Sequence, residues 1–305
     1  MISSLTPELK KSKMLFTQND KSFYRKKSTL NLNGHLIDLS SPLVMGILNI
    51  TPDSFYDGGV YTTDLSILKR AVQIVDEGGQ FIDIGGMSTR PGAKEISVQE
   101  EIDRLLPAVR LVKREFPDIS LSVDTYRSEV IQQVYDEAGD FIVNDVSGGT
   151  FDNQLFEKVA ELNLPYILMH TKGKSDTMQK NPVYNDVVKE VILFLSAQVQ
   201  KLKQLGVCDI LIDPGFGFGK SAAHNYELLN RLDAFRIFEL PLLVGLSRKA
   251  MIWRELNLTP DQSLNGTTVL NTLALAGGCD ILRIHDVKEA IEAIKLVGNV
   301  KNYGK

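Results

Sequence analysis

The chain is poor in the residues that usually announce a mechanism. Among its 305 residues are two cysteines, one tryptophan and four histidines. Cys208 and Cys279 are too few for a disulfide framework or a four-thiolate zinc site. Both adjoin apolar strand-like runs, which predicts buried free thiols in a reducing compartment. Neither sign of charge dominates: 34 Lys and Arg face 38 Asp and Glu, for a net charge of −4. That balance excludes a general attraction to nucleic acid or to anionic lipid. No apolar run approaches the ~20 residues of a membrane span. His170, His224 and His285 lack paired spacing, so no zinc site is predicted. The nucleophile elbow G-x-S-x-G and the dinucleotide fingerprint G-x-G-x-x-G are both missing. The run Gly215-Phe216-Gly217-Phe218-Gly219-Lys220-Ser221 imitates a phosphate loop, but its outer glycines stand one residue too close for G-x-x-x-x-G-K-[ST].

What remains is an ordinary globular composition, 43% hydrophobic and 24% charged. Residues 1–29 differ from the rest, because Lys10, Lys11, Lys13, Lys21, Arg25, Lys26 and Lys27 face only Glu8 and Asp20. The segment has neither the apolar centre of a secretory signal nor the acid-free composition of a transit peptide, and is expected to be a loosely held extension. Residues 30–305 are expected to form a single domain, as no Pro- or Gly-rich linker divides them. Short β-branched runs at 44–50, 81–84, 119–124, 141–145, 166–170, 210–213, 242–245 and 281–285 alternate with stretches of helical period. Leu65, Leu68, Val72 and Val75 mark a helix face after the first run, and Leu155, Phe156 and Val159 mark one after the fourth. The longest helix is predicted at 187–205, faced by Val188, Val191, Ile192, Leu195, Val199 and Leu202. Eight strands and eight helices in this length predict a (β/α)8 TIM barrel rather than a doubly wound sheet. Residues 29–39 read as a hairpin turning at Asn33-Gly34, placed to plug the barrel's bottom.

In such a barrel the chemistry belongs at the carboxyl ends of the strands. Polar residues collect there, strand after strand: Asn49, Asp83, Asp124, Asn144, His170, Asp213, Ser247-Arg248-Lys249, and Arg283 with His285. Helix capping explains any one of them, but not a position on every strand. Asp83, Asp124, Asn144, Asp213 and Lys249 suit a planar heterocycle bearing ring nitrogens and an amino group, with Phe218 available to stack on it. Arg283, a protonated His285, and the Thr89-Arg90 pair suit phosphate oxygens. Asn49 could add one ligand to a Mg²⁺ held mainly by those phosphates.

The ordered motifs resemble the dihydropteroate synthases, the sulfonamide-inhibited enzymes of folate synthesis. They are Leu48-Asn49-Ile50-Thr51-Pro52-Asp53-Ser54-Phe55, Asp83-Ile84-Gly85-Gly86 with Ser88-Thr89-Arg90-Pro91-Gly92, and Ser122-Val123-Asp124-Thr125. Further along come Asn144-Asp145, Leu168-Met169-His170, Asp213 through Lys220, Ser247-Arg248-Lys249 and Arg283-Ile284-His285-Asp286-Val287. The resemblance implies that hydroxymethyl-dihydropterin diphosphate and p-aminobenzoate are condensed to dihydropteroate, with diphosphate leaving first in an SN1-like step. It implies a pterin site at Asp124, Asn144, Met169, Asp213, Phe218, Lys249 and Arg283. Diphosphate would lie at Asn49, Thr89, Arg90, Arg283 and His285, with Mg²⁺ on Asn49. The p-aminobenzoate pocket would be shaped by Phe55, Pro91, Lys249 and Ala250, and loops 51–59 and 88–92 would close over the site. Asn49, Lys249, Arg283 and His285 would be the catalytic set. A cytoplasmic homodimer acting on small molecules is implied too. Met87 stands where the family commonly has Glu, and Ala250 where many members have Ser. A corrinoid-linked pterin methyltransferase would have no use for residues 51–55, and a non-catalytic paralogue would be expected to lack Lys249 or Arg283.

Overall fold

Alternation along each strand decides what this fold does with its polar residues. The computed structural model describes residues 26–50, 60–88, 95–173 and 182–303, with side chains described from residue 64 in the helix that begins at Val60. Strands β1 (Thr29–Leu32) and β2 (His35–Asp38) form an antiparallel hairpin. Its turn places Asn33 at φ 54° and Gly34 at φ 74°, the left-handed pair that a two-residue hairpin demands. Eight parallel strands follow: β3 (Leu43–Asn49), β4 (Phe81–Gly85), β5 (Ser120–Asp124), β6 (Ile142–Asp145), β7 (Tyr166–Met169), β8 (Ile210–Asp213), β9 (Leu243–Val244) and β10 (Ile281–Ile284). They hydrogen-bond in the order β8-β7-β6-β5-β4-β3-β10-β9. A bridge between Ile212 and Leu242, just before β9, joins the two ends. The predicted barrel is present, with every strand where it was expected.

Helices α1 (Val60–Asp76), α2 (Val98–Glu115), α3 (Ser128–Ala138), α4 (Leu155–Glu161), α5 (Val187–Gln204), α6 (Ala222–Asn230), α7 (Ala250–Trp253), α8 (Leu264–Gly277) and α9 (Val287–Tyr303) lie in the βα connections. The described residues thus hold nine helices rather than the expected eight, because the connection after β9 contains both α7 and α8. The faces foreseen for α4 and α5 are buried, with Leu155, Val159, Val191 and Leu195 fully enclosed. The face foreseen for α1 is offset. Ile67, Ala71 and Ile74 form its buried stripe, while Leu65 and Val72 are exposed. Ile74 packs so closely on Gly46 and Gly79 that no side chain would fit at either glycine, and this contact fixes the helix's rotation. Cys279 is buried as expected, but Cys208 is exposed, since it stands in the turn before β8 rather than in the strand.

Successive side chains of a strand point to opposite faces. Val44, Ile82, Leu121, Val143, Leu168, Ile212, Val244 and Leu282 join the core shared with the helices. Their neighbours Met45, Phe81, Ile142, Ile167, Leu211, Leu243 and Ile281 point inward, where Leu30, Leu32 and Leu39 of the hairpin segment meet them. The hairpin is therefore the foreseen plug, and burying each leucine contributes about 2 kcal/mol. Residues 26–28 of the expected extension are docked rather than loose. Lys27 Nζ lies 2.6 Å from Asp209 Oδ1, its backbone N–H bonds Glu239 O at 2.9 Å, and Lys26 pairs with Asp280. Residues 1–25 lie outside the described residues.

Candidate active site

Continuing the inward register by two residues from the apolar floor brings up Asp83, Asn144, Asp213 and Arg283, two alternation steps from Met45 reach Asn49, and Ser122 stands beside Asp83 in the register of β5. One period-2 pattern thus gives the barrel an apolar bottom and a polar mouth. Asp83, wholly buried, is the centre of the mouth's lower layer. It accepts hydrogen bonds from Ser122 Oγ at 2.6 Å, Asn144 Nδ2 at 3.1 Å and Arg283 Nε at 2.6 Å. With its oxygens so engaged, Asp83 sets the positions of Asn144 and Arg283. Arg283 Nη2 then reaches Asp124 Oδ2 at 2.8 Å. Gly85 lies between these side chains, where a larger residue would crowd Asn49. A Cβ there would stand 3.3 Å from Asn49 Oδ1 and 3.6 Å from Asp124 Cβ.

The electrostatics follow from burial. Burial pushes the Asp124 carboxyl up to about 7 despite the opposing Arg283 cation, and neighbouring Asp83 adds to the rise. Asp213 is raised for the same first reason, opposed by the Gly215 N–H and by Lys249 and Lys220. Burial lowers Lys249 to about 8, with Asp213 holding it from falling further. Arg283 is desolvated as well, yet its two carboxylate partners keep it firmly charged. These are poorly solvated carboxylates and cations, so donors or acceptors from a ligand are worth more here than in water.

The β8 connection builds one wall. Gly215 N donates to Asp213 Oδ1 at 2.7 Å, and its φ of 71° leaves room for His170 O, which a Cβ would overlap at 1.9 Å. Lys249 Nζ donates to Phe216 O at 2.6 Å and lies 4.3 Å from the centre of the Phe218 ring. Met169, buried, neighbours Asp213 in the sheet register. Beneath this wall Lys220 is buried with four acceptors within reach: His170 Nδ1 at 2.9 Å, His170 O at 3.2 Å, Gly215 O at 2.8 Å and Phe218 O at 3.0 Å. The lysine that makes the run resemble a phosphate loop is thus a strut for the loop backbone. His170 packs edge-on to Phe194, away from the mouth, and burial with the Lys220 charge drops it to about 2.

At the mouth's other side stands His285. It is neutral at pH 7, contrary to the protonated form expected, because burial and the cations of Arg283, Arg248 and Arg70 lower it to about 3. Its ring Nδ1 lies 2.9 Å from Ser247 Oγ. Arg248 is fixed by Asp286, with Nη2 to Oδ1 at 2.6 Å, and by Asp261 at 3.0 Å. Ala250 opens α7 next to Lys249. Met87 Sδ lies 3.9 Å from Tyr126 Oη, which also donates to Glu95 at 3.0 Å.

The structure therefore gathers Asn49, Asp124, Asn144, Met169, Asp213, Phe218, Lys249, Ala250, Arg283 and His285 at one end of the barrel. Phe55, Thr89, Arg90 and Pro91 lie outside the described residues. Ser122, Lys220 and the Ser247 contact to His285 were not anticipated as parts of the site. Only the period-2 register of Ser122 with Asp124 signals its inward position, and no local pattern signals the other two. No group of three or more His, Cys, Asp or Glu among the described residues is arranged to hold a metal.

A pterin-binding enzyme family model matches residues 45–285. Dihydropteroate synthase of Escherichia coli K12 is 45% identical over 266 residues, which is 87% of this chain and 93% of that protein. The crystal structure of Yersinia pestis dihydropteroate synthase with a sulfonamide drug complex superposes with a TM-score of 0.84 at 40% identity, covering 90% of this chain and 99% of that one. Xanthomonas albilineans dihydropteroate synthase with 4-aminobenzoic acid gives 0.83 at 37% identity, covering 90% and 98%.

Proposed function

The chain belongs to the dihydropteroate synthase family, and from that premise we propose how its residues divide the reaction. The protein is a transferase of folate synthesis that joins hydroxymethyl-dihydropterin diphosphate to p-aminobenzoate, giving 7,8-dihydropteroate and diphosphate. The observation that carries the assignment of roles is the mixed ring of Asp124, Asn144 and Asp213 beside Lys249 and Arg283 in one barrel mouth.

Asp124 and Asp213 accept from the N–H groups of the aminopyrimidine edge, which relieves the desolvation that raises both carboxyls. Asn144, its amide N–H held by Asp83, presents its carbonyl oxygen. Lys249 donates to the pterin's acceptors, Arg283 stacks on the ring, and Met169 and Phe218 line the pocket. Asn49, Arg283 and His285, with Thr89 and Arg90, take the diphosphate. Asn49 supplies one hard oxygen, which fits a Mg²⁺ held chiefly by phosphate oxygens and water. Mg²⁺ bound there would neutralise charge on the departing diphosphate.

The methylene C–O bond breaks with its electron pair leaving on diphosphate, and the electron-rich dihydropterin stabilises the resulting cation. The p-aminobenzoate nitrogen then forms the C–N bond and releases a proton. No covalent nucleophile is needed, and no strong base, because an aniline is neutral at pH 7. The protein's task is to hold the leaving charge and keep water from the cation. Phe55, Pro91, Lys249 and Ala250 shape the p-aminobenzoate pocket. The domain spans 30–305 and works as a cytoplasmic homodimer; exposed Val269, Leu296 and Val300 on the adjacent α8 and α9 suit a self-association face.

Direct binding tests the pterin assignment. Asn144→Ala and Asp213→Asn should each weaken hydroxymethyl-pterin binding by on the order of tenfold or more, the loss of one or two buried hydrogen bonds. Wild-type affinity in both variants would contradict it.

A further inference from the structure

Ser247 makes two contacts to one residue. Its Oγ accepts the backbone N–H of His285 at 3.1 Å and lies 2.9 Å from that histidine's ring Nδ1. The hydroxyl has one proton and is 7% exposed as a residue, so water is a poor alternative partner. The backbone N–H already occupies a lone pair of Oγ. The arrangement that satisfies every group is donation of the Ser247 O–H to Nδ1. Nδ1 is then an acceptor without hydrogen, and the neutral ring carries its proton on Nε2. Nε2 has no hydrogen-bond partner among the described residues.

We infer that Ser247 is a positioning residue for His285: it fixes the Nε2–H tautomer and the ring's orientation, so that a neutral imidazole donates one hydrogen bond to a diphosphate oxygen. The inference rests on the proposed diphosphate site at His285. Its logic is local. Arg283, Arg248 and Arg70 surround the ring and supply positive charge, with Asp286 opposing them. A further cation there is disfavoured, whereas a neutral donor of fixed direction is compatible with both the crowd of guanidiniums and an incoming anion. In the Nδ1–H tautomer the ring would present a lone pair at Nε2, which repels phosphate oxygen. His170 offers an internal comparison, because Lys220 Nζ, a donor, holds its Nδ1 at 2.9 Å and imposes the same tautomer.

With four histidines in the chain, ¹⁵N-histidine labelling and two-bond ¹H–¹⁵N correlation can read each ring, His285 being assigned by its loss in His285→Gln. Wild-type protein should show His285 protonated at Nε2 only. Ser247→Ala should show a mixture or the Nδ1–H form, and Ser247→Thr, which keeps the hydroxyl, should restore the wild-type pattern. Affinity for inorganic pyrophosphate with Mg²⁺ should fall on the order of tenfold in Ser247→Ala, the usual effect of one hydrogen bond to a charged group. Hydroxymethyl-pterin, which lacks the diphosphate, should bind unchanged and so report an intact fold. An Nδ1–H ring in the wild type, or an unchanged tautomer in Ser247→Ala, would overturn the inference. A changed tautomer with unchanged pyrophosphate affinity would overturn the positioning role and, with it, the diphosphate site at His285, while leaving the pterin assignment untouched.

Discussion

At the scale of single residues, burial and charge decide what the side chains can do. Asp83 was legible in the sequence as a polar strand residue, but its work became visible only when three partners converged on it from β5, β6 and β10. His285 shows the converse. Its place at the end of the eighth barrel strand was legible, yet its charge was not, because burial, the first cause, and the cations of Arg283, Arg248 and Arg70 act only once the barrel brings them around the ring. The shift has a testable consequence. The folded value of about 3 lies below the ordinary 6.5, so between these limits the unfolded chain binds more protons than the folded one. The stability linked to this histidine is complete above pH 6.5 and is lost as pH falls toward 3. At pH 5 the loss should reach about 2 kcal/mol, from roughly 1.36 kcal/mol per pH unit. Urea unfolding at pH 7 and pH 5 should therefore show a larger drop for the wild type than for His285→Asn, by about that amount. Equal drops would mean that the imidazole is not held neutral.

At the scale of elements, the strands were legible because each β-branched run is short and ends in polar residues, and the barrel follows from counting them. The rotation of α1 was not, because two apolar stripes compete along it and the choice is made by Gly46 and Gly79, which lie outside the helix. The hairpin was legible through Asn33-Gly34, and its position under the barrel gives it a structural role distinct from catalysis. Leu30 is 1% exposed in the floor, in one cluster with inward side chains from seven of the eight barrel strands. Leu30→Ala should cost about 2–5 kcal/mol, the range for truncating a buried leucine, and should leave kcat/KM at 25 °C unchanged. A fall in kcat/KM without a fall in stability would show that the plug communicates with the mouth, against the layered arrangement described above.

At the scale of the whole molecule, one alternation pattern joins stability to function. Inward residues at the bottom are apolar and hold the barrel together, and on most strands the inward residues two or four positions later are polar and gather at the mouth. The order of the motifs along the chain is legible as family resemblance, but their meeting at one mouth depends on closure of the ring between β8 and β9. The reaction proposed for that mouth needs charge neutralisation, exclusion of water and the p-aminobenzoate amine to trap the cation, and it needs no nucleophile of the protein. The most direct test is diphosphate release from hydroxymethyl-dihydropterin diphosphate with Mg²⁺, followed with and without p-aminobenzoate. Amine-dependent release with stoichiometric dihydropteroate is the predicted result. Tight binding of the pterin diphosphate with no turnover when the amine is added would contradict it.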